Sequence, residues 1–116
     1  HFAGLFPLWL APVQIALLPV ASAHAEYAKS VLAQMKGHGI RVQYMDPEES
    51  LGKRIREGEK MKIPYLLVLG DQEVQDTSVS VRNVKTKQQV TVPLQECIEK
   101  TTEDIRMRKL IASIGN

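Results

Sequence analysis

Cysteine is almost absent from this chain. The single Cys97 excludes an internal disulfide and fits a reducing compartment. That thiol and the histidines His1, His24 and His38 show no metal-ligand spacing. No glycine-rich phosphate loop and no nucleophile elbow occurs, and the lack of the first argues against a small flavodoxin-like nucleotide-binding domain. Neither sign of charge is in large excess: 15 Lys and Arg stand against 13 Asp and Glu, for a net charge of +2. The pI near 8.8 is too mildly basic to argue by itself for nucleic acid. Residues 2–25 carry only His24 as a potential charge, yet they lack a Lys/Arg-rich leader, and Pro7, Pro12 and Pro19 interrupt any membrane-spanning helix. There is no repeat, linker or low-complexity segment.

The remainder is ordinary globular sequence: 44% hydrophobic and 24% charged over 116 residues. That length suits one domain, which buries roughly two-thirds of the unfolded chain's surface. The first residue is His1 rather than Met, and we read the chain as a piece excised from something longer.

The stretch Ile55–Val74 organises the rest. It holds the end of a basic amphipathic helix, a Lys-Ile-Pro turn, and the apolar run Tyr65–Leu69, which stops at Gly70-Asp71-Gln72-Glu73. A run without polar alternation predicts a strand buried on both faces, with neighbours on each side. Pro64 biases Ile63 away from helix and so separates the two elements. Polar residues past the carboxyl end of such a strand occupy the usual ligand position of open α/β sheets.

In chain order, residues 6–12 read as an extended approach anchored by Phe6 and Trp9, and Gln14–Val20 as the first strand. A helix over residues 23–36 places Ala28, Val31, Leu32 and Met35 on one stripe, and Gly37 and Gly39 stop it. Ile40–Met45 is a second strand. In Asp46-Pro47-Glu48-Glu49, Asp46 reads as an N-cap for a second helix running to about Met61. On it Leu51 and Ile55 point inward and Lys53, Arg54, Arg56 and Lys60 mostly outward. Ser78-Val79-Ser80-Val81-Arg82 alternates, with the valines toward the core and Arg82 exposed among the serines. Val90–Val92 returns antiparallel across a turn at residues 85–88. A third helix from Leu94 to about Lys109 carries Leu94, Cys97, Ile98, Thr101 and Ile105 on one stripe. The expectation is a three-layer α/β/α fold: β-α-β-α-β, a β-hairpin and a closing helix, giving a mixed five-stranded sheet with three helices.

By motif alone the chemistry is bland. Glu48, Glu49 and Glu57 sit among bases on a helix, which is ordinarily a solvated face. His24 and His38 lie at helix ends and read as surface residues. Cys97 reads as core packing, and Asp71 and Glu73 as turn formers.

Particular residues add more. Ile55-Arg56-Glu57, Ile63-Pro64-Tyr65-Leu66-Leu67-Val68, Gly70-Asp71-Gln72-Glu73-Val74 and Val79-Ser80-Val81-Arg82 resemble the C-terminal anticodon-binding domain of the threonyl-tRNA synthetases, a class IIa family. Phe6-Pro7-Leu8-Trp9-Leu10-Ala11-Pro12-Val13-Gln14 resembles the junction with that family's catalytic domain. Residues 1–13 are then a lead-in and 14–116 the domain. Prolyl-, histidyl- and glycyl-tRNA synthetases share the fold and a looser strand motif.

The resemblance implies a non-catalytic module that grips the anticodon stem-loop of tRNA(Thr) and reads the G and U common to threonine anticodons. Aminoacylation, with its ATP and zinc, belongs to the parent's separate catalytic domain, so no cofactor is expected here. It also implies a cytoplasmic or organellar homodimeric parent and no membrane association. The family's base-reading acid falls on Glu73 and its base-reading arginine on Arg82. A carboxylate accepts from a guanine N–H edge, and a guanidinium donates to carbonyls or stacks. Lys53, Lys62 and Lys85 are the matching candidates for phosphate contact.

The sequence departs from the family where Leu-Arg-Asn-Glu-Lys is usual before the second helix. Here Asp46-Pro47-Glu48-Glu49-Ser50 puts Glu48 at the base-reading Asn position, which removes two positive charges and adds a negative one. Asn83-Val84 likewise stands where Thr-Arg is common. A second reading therefore stays open: a synthetase-derived regulatory or protein-interaction domain with weakened or altered tRNA recognition.

Overall fold

In the computed structural model, which describes residues 7–115, the apolar runs form the sheet. The strands are β1 (Ile15–Pro19), β2 (Val42–Tyr44), β3 (Tyr65–Leu69), β4 (Ser78–Asn83) and β5 (Gln89–Pro93). The helices are α1 (Ala25–Gly37), α2 (Leu51–Lys60), α3 (Asp71–Asp76) and α4 (Leu94–Arg106). Sheet order is β2-β1-β3-β4-β5, with β1 parallel to β2 and β3, and β4 antiparallel to β3 and β5. The run Tyr65–Leu69 is therefore an interior strand, as its lack of polar alternation requires.

Side-chain alternation divides the sheet into two faces. On one, Ile15, Leu17, Tyr65, Leu67, Leu69, Val79, Val81 and Val92 pack against Val31 and Met35 of α1 and against Leu94, Cys97 and Ile98 of α4. On the other, Ala16, Leu18 and Leu66 pack against Leu51 and Ile55 of α2. The three layers and the mixed five-stranded sheet follow from these two clusters. Gly58 of α2 lies so close to β3 that a Cβ there would meet Leu66 Cδ2 at 2.6 Å. Leu8 joins the larger cluster, and buried Gln14 ties the lead-in down by donating to Leu8 O at 3.0 Å and accepting from Arg41 N at 2.8 Å.

Several expectations change. The lead-in is not simply extended, because Leu8–Leu10 makes a 3-10 turn; Trp9 lies under the Arg108 guanidinium, 5.4 Å from ring centre, and Phe6 lies outside the described residues. The fourth helix, α3, went unread because its six residues, Asp-Gln-Glu-Val-Gln-Asp, carry no apolar stripe. It starts where the Glu73 carboxylate accepts Gly70 N–H at 2.7 Å and ends at Thr77 with φ of +51°.

Asp46 is not the cap of α2. Its carboxylate accepts from Glu48 N in a local turn, and Ser50 caps instead, its hydroxyl accepting from Lys53 N at 3.2 Å. Arg54 is buried, not outward. Its guanidinium donates to Glu49 O, Pro19 O and Met45 O at 2.7–3.3 Å, clamping the carboxyl ends of β1 and β2 to the loop before α2. Burial pulls its pKa below the ordinary value. His24 is also buried: Nδ1 accepts Ala21 N–H, so Nε2 carries the proton toward Asp71 Oδ1 at 2.6 Å.

The closing segment is pinned from several sides. Buried Asp104 accepts from Ser113 N and Oγ, Tyr65 Oη accepts from Ile114 N at 2.9 Å, and Asn83 Nδ2 donates to Ile114 O at 2.9 Å. Among the described residues no helix is long and apolar enough to cross a membrane.

Candidate nucleic-acid interface

The face carrying α2 grades from apolar to polar along the sheet. Pairing puts Leu66 opposite Arg82, Val68 opposite Ser80, Ser80 opposite Thr91, and Arg82 opposite Gln89, so all share that face. α2 covers the β1 side; toward β4 and β5 the row becomes Ser80, Arg82, Gln89 and Thr91. Gln89 donates to Ser80 Oγ at 2.7 Å across the strand pair, and Ser80 is itself buried.

Arg82 is half-buried rather than exposed, with 27% of its side chain accessible. Its Nε and Nη2 both lie 3.2 Å from Glu59 Oε2, on the last turn of α2, and Lys87 Nζ reaches the same oxygen at 3.3 Å. Three elements thus meet at one carboxylate: the end of α2, strand β4 and the hairpin turn.

That turn is built by Asn83, whose Oδ1 accepts from Lys85 N and Thr86 N while its backbone N donates to Gln88 O. The departure from the family's Thr-Arg therefore supplies turn chemistry. Val84 N donates to Pro64 O at 3.0 Å, joining the hairpin to the α2–β3 turn where Lys62 has φ of +59°. Of the sequence-derived candidates, Arg82, Lys62 and Lys85 are brought to this one end of the sheet.

Glu48 and Lys53 lie at the opposite end of α2, whose ten residues span about 15 Å. There a groove is lined by four carboxylates, Asp46, Glu48, Glu49 and Glu57, against the two cations Lys53 and Arg54. Lys53 is exposed and paired with Glu49, whose hydrogen bond raises the ammonium pKa, while Glu48 is exposed.

Glu73 occupies a third position, on α3 beyond the carboxyl end of β3. One of its oxygens caps Gly70, leaving the other for a ligand donor. Tyr27 stands nearby, donating to Ser78 O at 2.7 Å; burial and then the Glu73 charge push its pKa up to about 12. Among the described residues no group of three or more His, Cys, Asp or Glu is arranged to hold a metal ion.

Sequence reasoning missed Glu59, Lys87 and Arg54. Arg54 had a signal, since residues 51, 54, 55 and 58 make one helical stripe and Gly58 leaves room on it. Glu59 and Lys87 had none, because their convergence on Arg82 is purely tertiary.

The three-layer domain matches a known class. Over residues 14–104 the chain matches the model of the anticodon binding domain, and it belongs to that family. The particular similarity is to threonine–tRNA ligases. The enzyme of Caldanaerobacter subterraneus subsp. tengcongensis is 44% identical over 110 residues, covering 95% of this chain and 17% of the relative. That of Thermotoga neapolitana is 43% identical, with the same 95% and 17% coverage. The chain thus spans about a sixth of the length of these curated relatives. Among solved structures, the RNA binding domain of threonyl-tRNA synthetase from Cryptosporidium parvum Iowa II superposes with a TM-score of 0.83 at 32% identity, covering 89% of this chain and 26% of that one.

Proposed function

We propose that this chain is the tRNA-gripping module of a threonine–tRNA ligase, holding the anticodon stem-loop of tRNA(Thr) while a catalytic domain elsewhere in the parent performs aminoacylation. The observation carrying this reading is Arg82: a partly exposed guanidinium fixed in a polar strip, on a domain of the anticodon-binding family. Flanking Lys62, Lys85 and Lys87 supply the positive field a phosphate backbone requires, whereas the Glu48 end of α2 is acidic and opposes it. Arg82 and the second oxygen of Glu73 serve as base readers, and the lysines position the backbone. On this reading ATP and zinc belong to the catalytic domain, the parent is a homodimer, and it works in the cytoplasm or an organelle.

Filter binding of the chain to tRNA(Thr) against a control tRNA tests the proposal. Preference for tRNA(Thr), lost in part in Arg82→Ala, is the expected result. Lys62→Ala weakens both RNAs equally and flattens the salt dependence by about one unit. The chain alone is expected to show no ATP–pyrophosphate exchange. If neither tRNA binds, the second reading leads: a protein-interaction or regulatory domain, for which the acidic loop at residues 46–50 is the supporting feature.

A further inference from the structure

The ion triad at the end of α2 has a role that the tRNA reading does not itself require. Arg82 has five N–H donors, and its Nε and Nη2 both approach Glu59 Oε2 at 3.2 Å. An arginine held along that edge has its plane fixed, and the Nη1 donors lie outside the ion pair. Lys87 joins the same oxygen at 3.3 Å, so two cations share one anion and the cluster keeps a net positive charge. Glu59 is itself mostly covered, with 23% of its side chain accessible, and the turn bonds of Asn83 fix the chain leading to Lys87. A carboxylate at a surface meant for a polyanion opposes binding in general, so its presence beside the base-reading candidate calls for a compensating effect.

We infer that Glu59 is a specificity-determining positioning residue: it orients the Arg82 guanidinium for one base edge, while its charge lowers affinity for every RNA alike, a cost that the oriented contact offsets only for the matched base. This rests on the tRNA-binding reading above. Lys87 has a different part. It lessens the Glu59 charge without orienting Arg82, so it contributes affinity and no selectivity.

The experiment compares binding of two RNA hairpins to the intact chain: the anticodon arm of tRNA(Thr), and the same arm with one anticodon base changed. A well-placed bidentate contact gives the wild-type chain a preference of roughly tenfold. In Glu59→Gln, which keeps the shape and removes the charge, that preference falls to the level of Arg82→Ala while affinity for the changed hairpin rises. The double variant Glu59→Gln/Arg82→Ala shows no further loss of preference, because the two residues act as one unit. Lys87→Met weakens both hairpins equally and keeps the preference. Unchanged thermal midpoints confine these effects to binding. An undiminished preference in Glu59→Gln, beside a lost one in Arg82→Ala, overturns the positioning role and leaves the tRNA reading intact. A wild-type chain that binds neither hairpin overturns both.

Discussion

Val81 and Arg82 are adjacent on β4 and meet opposite surroundings. Val81 points into the cluster under α1 and α4 and is fully buried, whereas Arg82 points to the α2 face, where the nearest helix offers only its last turn. Along the strand, Val79, Val81 and Asn83 take one face, the valines under the helices, while Ser78, Ser80 and Arg82 take the other, where both serines are buried and only Arg82 stays partly exposed, beside Gln89 and Thr91. Covered strand faces stabilise through apolar burial. The uncovered half-face contributes little of that and is free to carry hydrogen-bonding groups. Stability and recognition are thus assigned to opposite sides of the same backbone, one residue apart.

The largest expected effect lies on the covered face. Leu67 has no accessible surface, and Leu67→Ala costs about 2–5 kcal/mol of stability, measured by chemical denaturation. The base preference of whatever fraction remains folded is unchanged. Arg82→Ala should do the reverse, costing about 1–3 kcal/mol in binding to a matched RNA hairpin with a near-native denaturation midpoint. If Arg82→Ala instead unfolds the chain, the Glu59–Arg82 pair is a stability element and the division between faces breaks.

A smaller effect sharpens the boundary between the faces. Gly58→Ala places a Cβ 2.6 Å from Leu66 Cδ2, where α2 lies tightest on β3. Displacing a buried leucine costs about 1–3 kcal/mol, and the better helix propensity of alanine returns about 1 kcal/mol, so a net loss of about 1 kcal/mol is expected in a denaturation series. No loss would mean that α2 rides loosely, and the α2 face would then be open along its full width.

How much of this division was legible in the sequence follows from the same contrast. The covered face was readable, because unbroken runs such as Tyr65–Leu69 and the valine alternation of β4 state their burial directly. The stripe on α4 likewise needed only helical spacing. What escaped depended on groups distant in sequence. Arg54 is buried where carbonyls of Pro19 and Met45 converge on it, and buried His24 meets Asp71 across 47 residues. Asp46 looked like a cap, but its own turn to Glu48 satisfied it first. On the open face the identity of Arg82 came from resemblance to a family, and its partner Glu59 from nothing local at all.

Burial on the covered face also has a consequence that appears only in alkali. Burial pushes the Cys97 thiol from about 9 up to about 12, while an unfolded chain releases the proton near its ordinary value. Between those limits the unfolded state binds fewer protons than the folded one, so stability falls as pH rises from about 9 toward 12. Tyr27, also raised to about 12, adds to the decline only above pH 10. Denaturation midpoints measured from pH 7 to 11 should stay level to about 9 and then drop, and Cys97→Ala should move the onset toward 10. An unshifted onset would show that the covered face admits water at Cys97.

The smallest effect concerns the acidic end of α2. Glu48 is exposed; its neighbour Glu49 takes the Lys53 ion pair, and only the Glu48 backbone N is tied, to Asp46 Oδ1 at 3.0 Å. Glu48→Asn should therefore leave stability within about 0.5 kcal/mol, which makes any change in RNA binding a direct reading of this position. If Glu48 merely repels phosphate, the change tightens every RNA slightly and equally, as removal of one negative charge requires. If asparagine restores a base contact, only the hairpin with the threonine anticodon gains. If Glu48 reads an altered partner, that partner's hairpin is the one that loosens. Equal tightening is the expected outcome, because the carboxylates of Asp46, Glu49 and Glu57 around the groove keep the local field unfavourable to a backbone approaching closely enough for base contact. A gain confined to one hairpin would extend the recognition surface along the whole of α2, and Arg82 would no longer be its centre.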